Sequence, residues 1–229
     1  MAAPIHKLVQ LSTKIFGLSP EKITKDHLAP LIRAMNIITS EDVFFDPSEI
    51  KERDAELQKI DKVAPVTYMH IHQDNNCTIA VFVVKSGSVL PLHDHPRMHG
   101  LLKVLYGKVR IVSYTEVDQK PLPASLQKRS SKGCVKTVYR HNDILLSDKD
   151  DCCVLSPNER NFHEIQPETK FAAFLDVLAP PYEDDSGCHY YRDLNGEKTG
   201  IGSTTWLKEI PQPPFYWCDT IKYRGPKLT

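Results

Sequence analysis

From residue 66 onward the chain breaks into short β-favouring runs separated by turn residues, and this punctuation constrains its fold more than any other feature. Residues 66–72 alternate and residues 77–84 form a β-branched run; further runs stand at 101–106, 108–114, 135–140, 151–155, 171–177 and 189–192. Many short strands with turns between them predict an all-β sandwich or barrel. Residues 118–133, with two prolines and several small polar residues, read as a long surface loop. The tail, with Pro211, Pro213 and Pro214 ahead of Phe215-Tyr216-Trp217, reads as an extended segment packed on the barrel.

The first sixty residues have a helical texture. Leu8, Leu11 and Ile15 make one apolar stripe at helical spacing that ends at Gly17. Ser19-Pro20-Glu21 supplies a cap residue followed by proline at the first helical position. Pro30 interrupts the pattern that follows, which predicts two short helices across residues 20–37. Asp46-Pro47-Ser48-Glu49 opens another short charged turn or helix. At 229 residues the chain fits one domain: a helical extension over 1–60 packed on a barrel formed by 61–229.

Within the β region, His93-Asp94-His95 is the stretch that carries chemistry. On a strand, residues i and i+2 project to the same face, so His93 and His95 can converge on one first-row transition metal. The candidate third ligand is His163, about seventy residues on, a separation that antiparallel strands can fold back across. His70 and His72 share the same i, i+2 spacing but read as solvent-facing strand residues, and His6, His27, His141 and His189 carry no site signal.

The glycines around the pair match a known pattern. Gly87, His93, His95, Gly100 and Gly107, separated by five, one, four and six residues, resemble the first motif of the cupin superfamily, whose fold is a double-stranded β-helix, or jelly-roll, barrel. That motif normally carries glutamate where Gly100 stands, so its carboxylate ligand is missing and a three-histidine site remains. The second motif matches loosely, His163 falling one residue later after Pro157 than usual. Longer strings narrow the resemblance. Pro91-Leu92-His93-Asp94-His95-Pro96, Met98-His99-Gly100-Leu101-Leu102-Lys103-Val104-Leu105-Tyr106-Gly107, Phe174-Leu175-Asp176-Val177-Leu178-Ala179-Pro180-Pro181-Tyr182 and Cys188-His189-Tyr190-Tyr191-Arg192 resemble the 2-aminoethanethiol (cysteamine) dioxygenases and their relatives, the plant cysteine oxidases.

That resemblance implies Fe(2+) held by His93, His95 and His163, and insertion of both atoms of O2 into a thiol to give a sulfinic acid. The implied substrates are cysteamine, yielding hypotaurine, and the N-terminal cysteine of proteins, whose oxidation routes them to oxygen-dependent degradation. Three neutral imidazoles leave the metal's charge uncompensated, which favours an anionic thiolate as a further ligand. Arg97 stands where the family leads one to expect glycine.

Further candidates surround the triad. Asp176 lies in a run whose two alternating faces are otherwise apolar, so it has a buried partner or a task. It could hold a substrate ammonium, order a ligand histidine, or anchor the Pro180-Pro181 turn. Tyr182 could donate a hydrogen bond to substrate or oxygen, or simply pack the turn. Cys188 and Tyr190 share a strand face and match a pair that the resemblance implies can form a thioether crosslink. His99 is a further candidate beside the ligands.

Composition narrows the partners. With 29 basic and 29 acidic residues the formal charge is zero, so neither nucleic acid nor a membrane surface is the expected partner. No signal-peptide core and no apolar run of membrane-spanning length is present. Six cysteines without C-x-x-C spacing read as reduced thiols of a cytoplasmic protein, with the nucleus also open to it. The resemblance implies a monomer. Two competing readings remain: a metal-dependent isomerase or hydrolase on a cupin barrel, and a non-catalytic metal-binding cupin or interaction module.

Overall fold

The computed structural model describes residues 3–60, 63–128, 134–182, 187–196 and 199–228. Three helices lead: α1 (Pro4–Phe16), α2 (Lys25–Asn36) and α3 (Pro47–Gln58). The strands follow as β1 (Val66–Gln73), β2 (Thr78–Lys85), β3 (Leu90–Asp94), β4 (His99–Tyr106) and β5 (Lys108–Glu116). After the one-turn α4 (Ala124–Gln127) come β6 (Val135–Arg140), β7 (Ile144–Ser147), β8 (Cys153–Leu155), β9 (Phe162–Pro167), β10 (Phe171–Ala179), β11 (Tyr190–Asp193), β12 (Thr204–Ile210) and β13 (Cys218–Thr220). Of the 118–133 segment, residues 129–133 lie outside the described residues.

The strands form two sheets, in the orders β13-β1-β2-β10-β4-β8 and β6-β12-β11-β3-β9-β5-β7, with β6 also pairing with β5. This is the double-stranded β-helix that the resemblance to the cupin motif implies. Neighbouring pairs are antiparallel except for β13, which runs parallel to β1 with Val66 opposite Cys218.

Strand parity decides what each sheet face does. In β10, Phe171, Ala173, Leu175, Val177 and Ala179 face the helices, joining Ile79, Val81, Leu101 and Leu105 in a core completed by Ile5, Leu8, Leu31 and Met35. Ala172 and Phe174 face the barrel interior with Leu102, Val104, Ile111 and Ile165. Both faces of β10 are therefore buried, which is why it is apolar throughout but for one residue. Asp176 has the parity of Ala172 and Phe174, so it belongs to the interior.

Two expectations are corrected. Pro30 does not split residues 20–37; it lies inside α2, and the break falls earlier, between a single 3-10 turn at Pro20–Lys22 and the cap at Thr24. Proline there removes one helical hydrogen bond, which burial of Leu28, Leu31, Ala34 and Met35 outweighs. Ser19 and Pro20 do open that 3-10 turn, though without a side-chain cap bond; α2 itself is capped by Thr24, whose hydroxyl accepts from the backbone N–H of His27. The tail joins the barrel through β13, while Phe215 and Trp217 remain exposed. All six cysteines are free, and no helix among the described residues is long and apolar enough to cross a membrane.

Candidate metal centre

The centre is built on one antiparallel ladder. His93 of β3 lies opposite His163 of β9, and His95 follows one residue after β3 ends at Asp94. The pair is therefore not carried on one unbroken strand, yet its rings converge. His163 Nε2 lies 3.2 Å from His93 Nε2 and 3.1 Å from His95 Nε2. Metal–nitrogen bonds of about 2.0–2.1 Å put two such nitrogens about 3.0 Å apart at a right angle and about 3.4 Å apart at the tetrahedral angle. The observed separations fall between these values.

Tautomers point the same way. His93 Nδ1 donates to the Pro91 carbonyl at 2.7 Å, which leaves its Nε2 a bare lone pair. His95 Nδ1 meets the Tyr182 hydroxyl at 2.7 Å, and that hydroxyl lies 3.3 Å from the Asp94 carbonyl, the acceptor for its own proton. Nδ1 is then the donor, and His95 Nε2 is bare as well. Two lone pairs facing His163 could be satisfied by at most one N–H, whereas a cation would serve all three nitrogens. Burial lowers the pKa of His93 and drives those of His95 and His163 well below the ordinary range. The rings stay neutral, the form a metal requires.

The missing carboxylate has a steric cause. A Cβ on Gly100 would stand 2.9 Å from Leu155 Cγ and 3.1 Å from Leu178 Cδ2, so a glutamate here would have to displace both leucines. Gly87 and Gly107 hold φ of +78° and +76°, backbone that glycine adopts readily. Arg97 also lies in the left-handed region, at φ 61°, which explains why glycine suits that position.

The other candidates sort by contact. Asp176 and His163 line one small interior cavity of about 20 Å³, together with Cys153, Ser113 and Arg160. Burial raises the Asp176 carboxyl to about 7. Neither Nδ1 of His93 nor that of His95 uses it, so it does not orient either ring. Tyr182 is engaged with His95. The Cys188 thiol, pushed up to about 12 by burial, sits between the hydroxyls of Tyr182 and Tyr190. His99 has the parity of the helix-facing side: its Nε2 meets the Pro20 carbonyl at 3.1 Å and its ring packs near Phe16, away from the triad. Arg97 is exposed on a groove of about 1220 Å³ that runs between α2 and the barrel mouth. Tyr182 and Arg160 line that groove, Arg160 reaching the inner cavity as well.

Three residues with structural work at the centre carried no signal in the sequence reading. Asn161 clamps the His95 backbone, its Oδ1 accepting from His95 N at 3.2 Å and its Nδ2 donating to His95 O at 2.7 Å. Asn161 stands just ahead of β9, two residues before His163, and that spacing is the available clue. Asp94 points away from the metal side and accepts from His189 N at 2.9 Å and from the Tyr191 hydroxyl at 3.0 Å, tying β11 to β3. His189, set aside above, thus belongs to the frame that holds His93.

Comparison with known proteins fits this geometry. The profile of the PCO_ADO family matches residues 34–228. The chain belongs to the PCO_ADO family. It is 38% identical over 226 residues to 2-aminoethanethiol dioxygenase of Homo sapiens, covering 89% of this chain and 82% of that protein. It is 30% identical over 248 aligned positions to plant cysteine oxidase 2 of Arabidopsis thaliana, covering 100% of this chain and 84% of that protein. PCO_ADO membership makes this a chain from an enzyme family of thiol-oxidising cupins, and its three-histidine cluster suits a first-row transition metal.

Proposed function

We propose that this chain is an iron(II)-dependent thiol dioxygenase that uses O2 to convert cysteamine to hypotaurine, the N-terminal cysteine of proteins to cysteine sulfinic acid, or both. The observation that carries the reading is a centre of three neutral imidazoles without a carboxylate, in a chain whose relatives are named for thiol substrates. Iron held by His93, His95 and His163 would supply redox chemistry with O2 and the positive charge that keeps a bound thiol ionised. With no carboxylate among the three ligands to neutralise that charge, the site favours a thiolate.

The chain's own residues do the rest. Tyr182 and the Pro91 carbonyl fix the His95 and His93 rings in the ligating tautomer, support of the kind that raises metal affinity. Asp176, with its pKa raised to about 7 by burial, is placed to take the thiol proton or to pair with a substrate ammonium. The buried walls formed by Leu102, Ile111 and Val104 exclude water from the reacting groups. The groove of about 1220 Å³ exceeds what an aminothiol of cysteamine size fills, which supports peptide substrates entering by their N-terminal cysteine. We infer a monomer acting in the cytoplasm, and in the nucleus where such substrates occur.

The test is oxygen uptake by the Fe(II)-loaded protein with cysteamine and a Cys-initiated peptide in parallel. A gain of about 32 Da on either thiol, the sulfinic acid, is expected. No uptake with either at stoichiometric iron would replace this reading with a non-catalytic metal-binding cupin or interaction module.

A further inference from the structure

A second cluster of metal-ligating groups lies at the β1–β2 turn, on the face of the sheet that α1 covers. His72, Asp74 and Cys77 offer Nε2, a carboxylate oxygen and Sγ, all within 4.8 Å of one another. The β1–β2 register slips between His70 and His72. A bulge of this kind re-aims the side chains that follow it. His70 stays exposed, but the His72 side chain is only 13% exposed and turns to Asp74, its Nε2 3.5 Å from Asp74 Oδ2. The expectation of a solvent-facing strand residue therefore fails for His72.

The Asp74 carboxylate is fully engaged in the turn. Asp74 Oδ1 accepts from the backbone N–H groups of Asn76 and Cys77, both at 2.8 Å, and Oδ2 accepts from the Thr13 hydroxyl at 2.6 Å. Burial works to raise the Asp74 pKa, but the bonds from Thr13, Asn76 and Cys77, with a smaller contribution from His72, hold it down at about 2, so the carboxylate is charged and oriented. His72 Nε2, by contrast, is sealed from solvent, and Asp74 Oδ2 stands 3.5 Å from it, at the outer limit of a hydrogen bond. A sealed ring nitrogen 3.5 Å from an ionised oxygen is too far for a good hydrogen bond. It is close to the spacing of two ligands on one tetrahedral ion, about 3.3 Å for bonds of about 2.0 Å.

The geometry points to a second divalent-metal site, formed by His72 Nε2, Asp74 Oδ2 and Cys77 Sγ, that takes zinc-class ions and pins the end of α1 to the β1–β2 turn. An imidazole, a carboxylate and a thiolate together suit Zn(2+) and its analogue Co(2+). Binding forms a metal–sulfur bond and releases the Cys77 thiol proton to solvent, with no change of oxidation state. Thr13 holds the carboxylate from outside the ligand set, and its carbonyl accepts from Asn76 Nδ2 at 3.3 Å, so α1 is fastened directly to the site. Four residues after α1 ends, Pro20 begins the wall of the large groove, so occupancy would stiffen that wall. This site stands independently of the dioxygenase reading.

The test is titration of the metal-stripped, full-length protein with Co(2+), read by absorption. The three-histidine centre contains no sulfur, so a thiolate-to-cobalt charge-transfer band reports only a cysteine-containing site. The band is expected to grow with one equivalent of bound cobalt, to vanish in Cys77→Ser, and to need at least ten times more cobalt in His72→Ala. Cys77 is fully buried, so if Cys77→Ser does not fold, His72→Ala and Asp74→Asn decide the matter. A native protein that shows no such band under excess cobalt overturns the site. So does a band that persists unchanged in these variants, which would place the thiolate on another cysteine.

Discussion

Asp176 is the residue whose environment makes the sharpest demands. Its carboxyl is lifted from 3.8 to about 7 by burial alone, with only a backbone hydrogen bond opposing the shift. Between these values the folded protein holds a proton that the unfolded chain has already released, so stability falls as pH rises through this window. Above pH 7 the whole penalty is present, at most about 4 kcal/mol for a gap of roughly three units. Asp176→Asn should therefore stabilise the metal-free protein more at pH 8 than at pH 5, as measured by urea unfolding. Equal gains at both pH values would show that the carboxyl is not held protonated. In the iron-loaded enzyme the same substitution should lower turnover on the order of 10²-fold while leaving metal content unchanged. Loss of metal in step with activity would instead make Asp176 a support of the ligands. The sequence exposed this residue because it is the one polar position in an apolar run; its role stayed open because parity alone does not say which face meets the metal.

At the scale of elements, the centre is a two-strand device. β3 and β9 set His93 opposite His163, Asn161 clamps the backbone of His95, and Gly100 on β4 gives up its side chain to Leu155 and Leu178. Gly100→Glu, which restores the carboxylate of the common cupin motif, should lower stability by about 1–3 kcal/mol through overpacking without tightening metal retention. A variant as stable as its parent that binds metal more strongly would contradict this. The long β-branched runs and the histidine spacing were legible because period-2 patterns carry their own signal. β7, β9, β12 and β13 were not: β7 and β13 span only four and three residues, and β9 carries His163, Glu164 and Gln166 among its six. β13 exists because β1 offers it an edge, which its own three residues cannot announce. Pro30 misled for the opposite reason, since burial of one helix face outweighed a local rule. The facing of His72 was hidden by a bulge, which shifts side chains to the other face without a mark in the sequence.

For the whole molecule, helices and barrel share one core through the odd-numbered face of β10, where Leu175 and Val177 pack with Leu8, Leu31 and Met35. Trp206 lies on β12 and Trp217 in the tail, so tryptophan fluorescence reports the barrel, and far-ultraviolet dichroism reports chiefly the helices. The two signals should give coincident urea transitions; helices that melt first would mean that the shared core does not couple them. The same packing buries the three imidazoles in the interior with Asp176 beside the cavity that His163 lines, and leaves the groove outside. The most direct measurement of what that arrangement does is turnover of cysteamine and a Cys-initiated peptide by the Fe(II)-loaded protein under 18O2, followed by mass spectrometry of the product. A sulfinic acid carrying two labelled oxygens on either substrate is the expected result. A product with one labelled oxygen, or with oxygen drawn from water, would contradict dioxygenation at this centre.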